Sequence, residues 1–375
     1  MIPRKTTREE RGRAIAENGE VRRINGDRYE VISQSGNGIY RILFSSKGWA
    51  CDCPDYQTRN VKCKHIHAVE FSLKLRNEVK ESIVVAPISV TSCIKCHSED
   101  IEKFGIRRNK NTAIQRFRCR SCRKTFSLNL GFEKMRNNPK AITTAMQLYF
   151  SGESLRNTKL ALKMMGVSVS HVTIYKWIGK YVRLMNNYLE RITPQVSGVW
   201  RTDEMYVKFS GKMNYVFAMM DDETRYWIAQ QVAEHKGTSD VTPMFRDAVE
   251  TTEKKPFLLI SDGARNFDEA FHKEYYSNKL DCKHIRHISL KGDKNNNKME
   301  RLNGETRDRE KVCRGLKNPN TPILKGIQLY HNYVRPHAAL DGKTPAEVAG
   351  IKVQGDDKWM TIIQNAADEG RRTPT

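Results

Sequence analysis

Alternating apolar and polar residues mark a group of strands in the second half of the chain. The alternation runs from Val199 to Phe209 and predicts a half-buried strand with Asp203 on the apolar face and Glu204 on the opposite one. Two further β-rich runs, MNYVFAMM and RYWIAQQVAEH, flank the polar residues 221–224, which indicate a hairpin turn. The pattern therefore predicts three antiparallel strands.

A different pattern, in which helices alternate with short apolar runs, follows these strands. A helix at about residues 239–252 leads to the uninterrupted apolar run 257–260, which is typical of a parallel strand covered on both faces. Asp262 follows that run, at the strand end where catalytic groups collect in open α/β sheets. The remaining predicted elements are a helix at 267–276, a strand at 284–290 and a helix from about Asn297 with Glu300 in its first turn.

Three acids, Asp203, Asp262 and Glu300, fall on a strand face, at a strand end and at a helix start. Carboxylates that meet raise each other's pKa unless a cation neutralises them. A few hard oxygen ligands that stay open to water suit Mg²⁺ or Mn²⁺, with substrate phosphates completing the site. The set therefore predicts two-metal phosphoryl displacement by a nuclease or a strand transferase.

Each of these acids could also be solvated surface charge, in a chain with 43 acidic residues. Glu305 is the nearest alternative to Glu300, but at about 100° per residue the two are rotated by roughly 140° and cannot both face one site. The other nearby acids are interpreted as turn or surface charge: Asp221, Asp222 and Asp308.

The order of the three acids, with the block HNYVRPHAALDGKTPAEVAGI (331–351) behind them, resembles the integrase core of DDE transposases encoded by insertion sequences. The resemblance covers about residues 199–351. It implies a ribonuclease H-like fold, metal binding and catalysis by the three acids, and Mg²⁺-dependent cutting and joining of DNA ends. It also implies a homo-oligomer on double-stranded DNA, which holds element ends and target DNA without a nucleotide cofactor.

The charge of the whole chain agrees with a nucleic-acid partner. Lysine and arginine number 65 against 43 acids, a formal net charge of +22. This excess favours a polyanion, and no amphipathic basic anchor points to a membrane. There is no run of 18 apolar residues, and the charged start is unlike a signal peptide, so we expect a soluble, cytoplasmic protein associated with the nucleoid.

Seven of the nine cysteines form two clusters before residue 123, which in an intracellular chain favours metal ligation over disulfides. Four ligands of the first cluster suit a closed, structural zinc site. The pattern Cys-x-Cys, spacer, Cys-x-His resembles a SWIM zinc finger over about residues 7–75, and His67 is an alternative ligand outside that pattern. The predicted ligands are Cys51, Cys53, Cys63 and His65.

The second cluster consists of two Cys-x-x-Cys knuckles and resembles a zinc ribbon. Residues 92–126 contain ten basic and three acidic residues, a net charge of +7 that predicts phosphate contact. Redox chemistry is the alternative, but a doubled motif outside a thioredoxin-like context does not favour it. The predicted zinc ligands are Cys93, Cys96, Cys119 and Cys122.

Helical periodicity from residue 139 to 184 predicts three short helices. Two short helices, a turn and a helix with a polar, basic outer face are typical of a helix-turn-helix, although a three-helix linker has the same periodicity. The segment 149–181 is similar to the one preceding the core of insertion-sequence transposases. The predicted DNA contacts are His171, Thr173 and Lys176 here, and Lys294 and Arg301 beside Glu300.

The chain is thus predicted to be multidomain, with small zinc modules and a helical domain before a ribonuclease H-like mixed-sheet (α+β, α/β) core. The predicted function is a DNA transposase that binds element ends, cleaves DNA and transfers strands. The alternatives are a domesticated DNA-binding regulator and a ribonuclease H-like nuclease without strand transfer. The predicted boundaries are 1–88 (SWIM module), 89–132 (zinc ribbon), 133–192 (helix-turn-helix), 196–352 (core) and 353–375 (C-terminal tail).

Overall fold

The structure is a computed structural model. It describes residues 7–17, 20–24, 28–33, 38–45, 48–78, 82–109, 112–127, 129–276, 282–286, 296–313, 316–318 and 321–372.

The first module is an antiparallel sheet covered by helices, with a small core of its own that includes Ile15, Val31 and Ile66. A Cβ at Gly12 would lie 2.5 Å from the Cβ of His67, so this glycine allows the first and third helices to pack closely. The elements are α1 (Arg8–Glu17), β1 (Val21–Arg23), β2 (Arg28–Ile32), β3 (Ile39–Ser45), β4 (Gly48–Cys51), α2 (Pro54–Arg59) and α3 (Lys64–Glu78).

The second module is a three-stranded antiparallel sheet with little apolar core beyond its cysteines and Phe126. It follows a short strand that pairs in parallel with a strand near the C-terminal end of the chain, Ile351–Val353. The elements are β5 (Ile83–Val85), β6 (Ile101–Asn109), β7 (Thr112–Cys119) and β8 (Thr125–Phe126).

Three capped helices follow: α4 (Pro139–Ser151), α5 (Leu155–Met164) and α6 (His171–Leu189). The side chains of Ser154 and Ser170 accept hydrogen bonds from backbone amides three residues on, as N-caps do. Most positions that the periodicity predicts to face inward are buried, including Ile142, Leu162 and Ile174. Met165 is an exception at 58% exposed, because α5 ends one residue before it.

The core is a five-stranded mixed sheet with the order β11-β10-β9-β12-β13. The three antiparallel strands that the alternation predicts are present, and two parallel strands extend the sheet beside β9, which confirms the predicted mixed α/β class. The elements are β9 (Val199–Phe209), β10 (Lys212–Asp221), β11 (Trp227–Ala233), α7 (Thr238–Thr252), β12 (Leu258–Ile260), α8 (Arg265–Glu274), β13 (Lys283–Ile285) and α9 (Asn297–Cys313).

Of the predicted strand 284–290, which precedes α9, residues 287–290 lie outside the described residues.

Short helices, turns and one strand follow α9. The closing elements are α10 (Pro322–Leu329), a π-helical turn (Tyr330–Val334), a 3₁₀ turn (Ala338–Leu340), α11 (Pro345–Val348), β14 (Ile351–Val353) and α12 (Lys358–Arg372).

One continuous hydrophobic core joins the three helices, the mixed sheet and α12. Its members include Tyr181 of α6, Trp200 of β9 and Trp359 of α12, all nearly inaccessible to solvent. The predicted C-terminal tail therefore contains a helix that packs into this core. Among the described residues, no helix combines the length and apolar character needed to cross a membrane.

Candidate active site and metal centres

The neighbouring strands β9 and β12 position two of the predicted acids. They run in parallel with Ile260 opposite Arg201, so Asp203 and Asp262 lie two residues further along each strand direction. The turn after β12 requires glycine, because Gly263 has φ +88° and a Cβ there would lie 2.2 Å from the carbonyl oxygen of Arg286. The turn leaves Asp262 exposed at the edge of the sheet.

Three carboxylates meet at this edge. Ligand oxygens of Asp203, Glu204 and Asp262 all lie within 4.8 Å of one another. The alternation places Glu204 on the opposite face from Asp203, and sequence reasoning therefore missed it. Asp262 lies beyond the end of its strand, where a side chain is not confined to one face of the sheet, so it approaches both neighbours.

Burial and mutual repulsion act on these acids. Burial raises the pKa of Asp203 to about 7, and the negative charges of Asp262, Glu204 and Glu300 contribute to the rise. Burial also raises the pKa of Glu204, whose buried Oε2 has no hydrogen-bond partner among the residues that the structure describes. Clustered acids that are costly to ionise, with a free ligand oxygen among them, fit a divalent cation.

The third predicted acid, Glu300, lies on α9 beside this group. Asn303, one helical turn further on, donates from Nδ2 to Asp203 Oδ2 over 2.9 Å, so this part of α9 lies against β9. The Glu300 charge contributes to the raised pKa of Asp203, but its carboxylate is exposed and outside the group within 4.8 Å. The fold thus brings Asp203 and Asp262 together and holds Glu300 on the adjacent helix.

A buried ion cluster joins the strand of Asp203 to the helix of Glu300. Asp222 Oδ1 pairs with the guanidinium of Arg201, two residues before Asp203, and accepts from Lys298 Nζ over 2.8 Å, two residues before Glu300. Burial opposes ionisation of Asp222, but the two cations outweigh it and lower its pKa. Asp221 and Asp222 lie at the predicted turn, where Asp221 accepts from the Thr224 amide, but at 0% and 4% exposure neither is surface charge.

A hydrogen-bond chain supports the turn that carries Asp262. Ser261 Oγ lies 2.9 Å from His284 Nε2, and His284 Nδ1 lies 3.3 Å from Asp268 Oδ1. Burial lowers the pKa of His284, so we assign a neutral ring that donates from Nδ1 and accepts at Nε2. Ser261 is fully buried, so the chain fixes the turn and offers no accessible nucleophile.

The block 331–351 packs against the same helix at Glu305. Its carboxylate lies 3.1 Å from His331 Nδ1 and 2.7 Å from Arg335. Burial opposes the charge of Glu305, but His331 and Arg335 outweigh it and lower its pKa. This pairing turns Glu305 toward the block, and Asn332 within the block accepts from the backbone amide of Trp227 at the start of β11.

The first cysteine cluster forms a closed tetrad in the N-terminal module. Its four ligand atoms lie within 4.8 Å of one another, and all four residues are buried. The His65 Nδ1 atom is 3.9 Å from the sulfurs of Cys51 and Cys63, close to the edge of about 3.6 Å expected around tetrahedral zinc. His67, the alternative ligand, faces Glu70 instead.

The second cluster forms a tetrad at the base of the three-stranded sheet. Sulfur–sulfur distances are 3.7 Å for Cys93–Cys122 and 3.5 Å for Cys96–Cys119, and tetrahedral Zn–S bonds of ~2.3 Å give edges of about 3.8 Å. The backbone amide of Cys122 donates to the Cys119 sulfur over 3.4 Å and lowers the pKa of Cys119 to about 6. Both tetrads therefore fit zinc.

The predicted DNA contacts lie in different surroundings. His171 and Lys176 of α6 and Arg301 of α9 are exposed. Thr173 is half-buried, and its hydroxyl lies 2.9 Å from the capping Ser170 hydroxyl. Lys294 lies outside the described residues.

A second arginine of α9, Arg309, points into the molecule, unlike the exposed Arg301. Arg309 is 5% exposed, with its guanidinium 4.4 Å from the ring centroid of Tyr149, so it joins α9 to α4 and is no phosphate contact.

Comparison with known protein families identifies two parts of the chain. Residues 197–337 match a DDE domain, and residues 37–74 match the SWIM zinc finger. The chain is 27% identical over 151 residues to the transposase for insertion sequence-like element IS431mec of Staphylococcus aureus, and equally to that of element IS257 in transposon Tn4003 of the same species. These matches cover 39% of this chain and 65% of the relatives, just under two thirds of their length.

Among solved structures, the chain is similar to the magnesium-bound HTLV-2 integrase catalytic core domain in its trimeric form. That match has 17% identity and a TM-score of 0.31, and covers 42% of this chain and 98% of the other. The five-stranded mixed sheet and the match to a DDE domain identify the fold of the core. Residues 197–337 match a DDE domain and are similar to the corresponding part of insertion-sequence transposases.

Proposed function

We propose that this protein binds the ends of a mobile DNA element, cleaves DNA there and joins the freed strand to target DNA. The observation that supports this most directly is the meeting of Asp203, Glu204 and Asp262 within a DDE domain, with α9 carrying Glu300 alongside. Asp203, Asp262 and Glu300 are the proposed catalytic acids and the proposed ligands of Mg²⁺ or Mn²⁺.

The protein side chains have defined tasks in this proposal. When bound, the divalent ions supply Lewis-acid chemistry at the scissile phosphodiester. Asn303 orients the Asp203 carboxylate through its 2.9 Å hydrogen bond, and Asp222 fixes β9 to α9 through Arg201 and Lys298. The exposed Arg301 next to Glu300 would neutralise substrate phosphate, as would Lys294.

The proposed reaction has two balanced steps. Water attacks phosphorus at the element end, and the bond to the 3′-oxygen breaks to leave a 3′-hydroxyl and a 5′-phosphate. That hydroxyl then attacks a phosphodiester of target DNA and displaces its 3′-oxygen. The first step is hydrolysis and the second exchanges one phosphodiester for another, so no nucleotide cofactor is required.

The front half of the chain is proposed to recognise the element end. The two cysteine tetrads, with Cys51, Cys53, Cys63 and His65 in the first, would each hold a structural Zn²⁺. α6 would enter the major groove with His171, Thr173 and Lys176. Joining two ends requires two active sites, so we propose a homo-oligomer on DNA, acting at the nucleoid.

The test is an assay of purified protein with Mg²⁺ and labelled DNA that carries the element's own end. The expected result is cleavage followed by a joined product, and Asp203→Asn abolishes both while binding persists. Asp308→Asn is the matched control, because Asp308 is an exposed acid on the same helix as Glu300 and should be silent. Binding without cleavage would indicate a regulator, and cleavage without joining would indicate a nuclease. Full activity of Asp203→Asn would refute the metal assignment.

A further inference from the structure

The zinc ribbon presents one aromatic ring to solvent. Phe104 lies on β6, which pairs with β7 to form the ribbon hairpin (residues 101–119), and 39% of Phe104 is exposed. The nearby Phe117 and Phe126 rings instead pack on each other, with centroids 5.8 Å apart. The Phe104 ring is therefore not part of the small apolar core of the ribbon.

Phe104 lies in a β-bulge of the hairpin. Lys103 pairs with Phe117 and Ile106 pairs with Gln115, so Phe104 and Gly105 together oppose a single residue, Arg116. Gly105 has φ +68°, which favours glycine. The Gln115 side-chain amide donates to the carbonyl oxygens of Gly105 (2.9 Å) and Arg116 (2.8 Å), and therefore holds both sides of the bulge.

Two guanidinium groups flank the same ring. The Cζ atoms of Arg116 and Arg118 each lie 5.4 Å from the Phe104 ring centroid, within the range of a cation–π contact. Neither arginine forms an ion pair within the part of the chain that the structure describes. The nearby carboxylates of Glu102 and Asp100 pair with Arg120 instead, at 3.0 and 3.9 Å. Arg116 donates from Nη2 to the Thr125 hydroxyl over 3.3 Å, but no carboxylate among the described residues neutralises either cation, so both charges can attract an anion.

We propose that Phe104, with Arg116 and Arg118, is a stacking site for an unpaired DNA base whose phosphates contact the guanidinium groups. An exposed aromatic ring with two cations close to it suits a base joined to phosphates, since stacking is sequence-tolerant and adds about 1 to 3 kcal/mol per base. Bases expose their faces only where a duplex is open, so the site selects single-stranded DNA or frayed ends over intact duplex. The choice of DNA as partner rests on the proposed function, which itself generates cut ends.

The test measures binding of the zinc-loaded full chain to a fluorescent oligothymidylate and to a blunt duplex of equal length, without added Mg²⁺. Phe104→Leu is expected to weaken binding to the single strand by about 5- to 150-fold, and binding to the duplex by less than about 2-fold. Phe104→Trp should retain single-strand binding, because it keeps an aromatic face. Ile106→Ala is the matched control, since Ile106 is 55% exposed on the same hairpin and is not aromatic, so it offers no face for stacking.

The Leu and Trp variants separate stacking from folding, and bound zinc is measured for each. Equal losses in Phe104→Leu and Ile106→Ala, or equal losses on single strand and duplex, would overturn the proposal. The result is independent of the catalytic assignment, because the binding assay needs no cleavage. A protein that fails to cut DNA can still show the Phe104 effect, and one that cuts can lack it.

Discussion

Among the proposed ligands of Mg²⁺, Asp203 is the residue whose ionisation the fold changes most clearly. Its folded-state pKa of about 7, raised mainly by burial, lies above the value of about 3.9 expected in the unfolded chain. Between these values the folded state binds the extra proton. In metal-free protein, this group therefore stabilises the fold at low pH and loses that contribution as pH rises toward 7.

The first prediction concerns metal binding and pH. Mg²⁺ should raise the melting temperature of the core more at about pH 8 than at about pH 6, because the proton competes with the cation for Asp203. Thermal unfolding with and without Mg²⁺ measures this difference. Asp203→Asn should remove the pH dependence of the metal effect and Asp308→Asn should preserve it. A metal effect that is equal at both pH values would contradict the prediction.

The second prediction concerns Glu204, whose carboxylate lies close to those of Asp203 and Asp262. Its buried Oε2 has no hydrogen-bond partner among the described residues. Glu204→Gln should weaken the apparent Mg²⁺ affinity by about 10- to 100-fold, as expected for loss of a group close to the metal. DNA binding without Mg²⁺ should not change, because the substitution is isosteric. A Mg²⁺ titration of cleavage gives the readout, and a wild-type titration curve would show that Glu204 takes no part.

Sequence patterns predict the strands that carry Asp203 and Asp262, but not which residues lie close to the acids in the folded chain. Alternation identifies the strand of Asp203, and the apolar run before Asp262 identifies a strand end. The same period of two places Asp203 and Glu204 on opposite faces of the sheet. It cannot account for Asp262, which lies beyond its strand end and approaches both acids. The burial of Asp222 was also unpredictable, since its partners Arg201 and Lys298 are 21 and 76 residues away.

At the scale of elements, helix α9 is the part of the core that contacts most of the site. Along α9, Lys298 pairs with Asp222 and Asn303 donates to Asp203. Further on, Glu305 contacts the 331–351 block and Arg309 contacts α4. Its register on the sheet therefore determines where Glu300 lies. The third prediction concerns the ion cluster of Asp222, Arg201 and Lys298, which joins α9 to the sheet.

Asp222→Ala should lower the free energy of unfolding by about 3 to 5 kcal/mol, because it removes the buried carboxylate that pairs with both Arg201 and Lys298. Urea unfolding of the core provides the measurement. Asp308→Ala breaks an exposed pair with Lys311 on the same helix and should cost less than about 1 kcal/mol. Similar losses in the two variants would show that the Asp222 cluster adds nothing beyond a surface ion pair.

Element boundaries could be predicted where periodicity is long and capped. The helix expected at 239–252 is α7 (Thr238–Thr252), and the strand expected from Val199 to Phe209 is β9. Helix α8 begins two residues earlier than expected and ends two residues earlier. Pairing of β5 with β14 could not be predicted, because the two short strands are far apart in sequence and carry no turn signal.

At the scale of the whole molecule, the three-helix domain and the five-stranded mixed sheet share one core. Arg309 and Cys313 of α9 contact Tyr149 of α4, at 4.4 Å to the ring centroid and 3.2 Å to the hydroxyl. Trp359 of α12 stacks on Phe150 of α4 with centroids 5.5 Å apart. The N-terminal module has a separate core, so the two regions should respond separately to core substitutions.

The fourth prediction tests this shared core. Trp359 is 2% exposed, lies parallel to Tyr330 at 6.2 Å, and donates from Nε1 to Gln147 over 2.9 Å. Trp359→Ala should lower the free energy of unfolding by about 3 to 5 kcal/mol, since it removes a large buried side chain and its hydrogen bond. Hydrogen exchange should therefore accelerate in both α6 and β9.

Trp49→Ala is the matched control, because Trp49 packs in the separate N-terminal core against Tyr29, with ring centroids 5.7 Å apart. It should accelerate exchange in β2 and β3 and leave α6 and β9 protected. If Trp359→Ala accelerates exchange in α6 but leaves β9 unchanged, the helical domain unfolds independently of the mixed sheet. A shared response instead means that α6 and the sheet that carries the acids move as one unit, so that under the proposed function DNA bound at α6 would also be oriented relative to the acids.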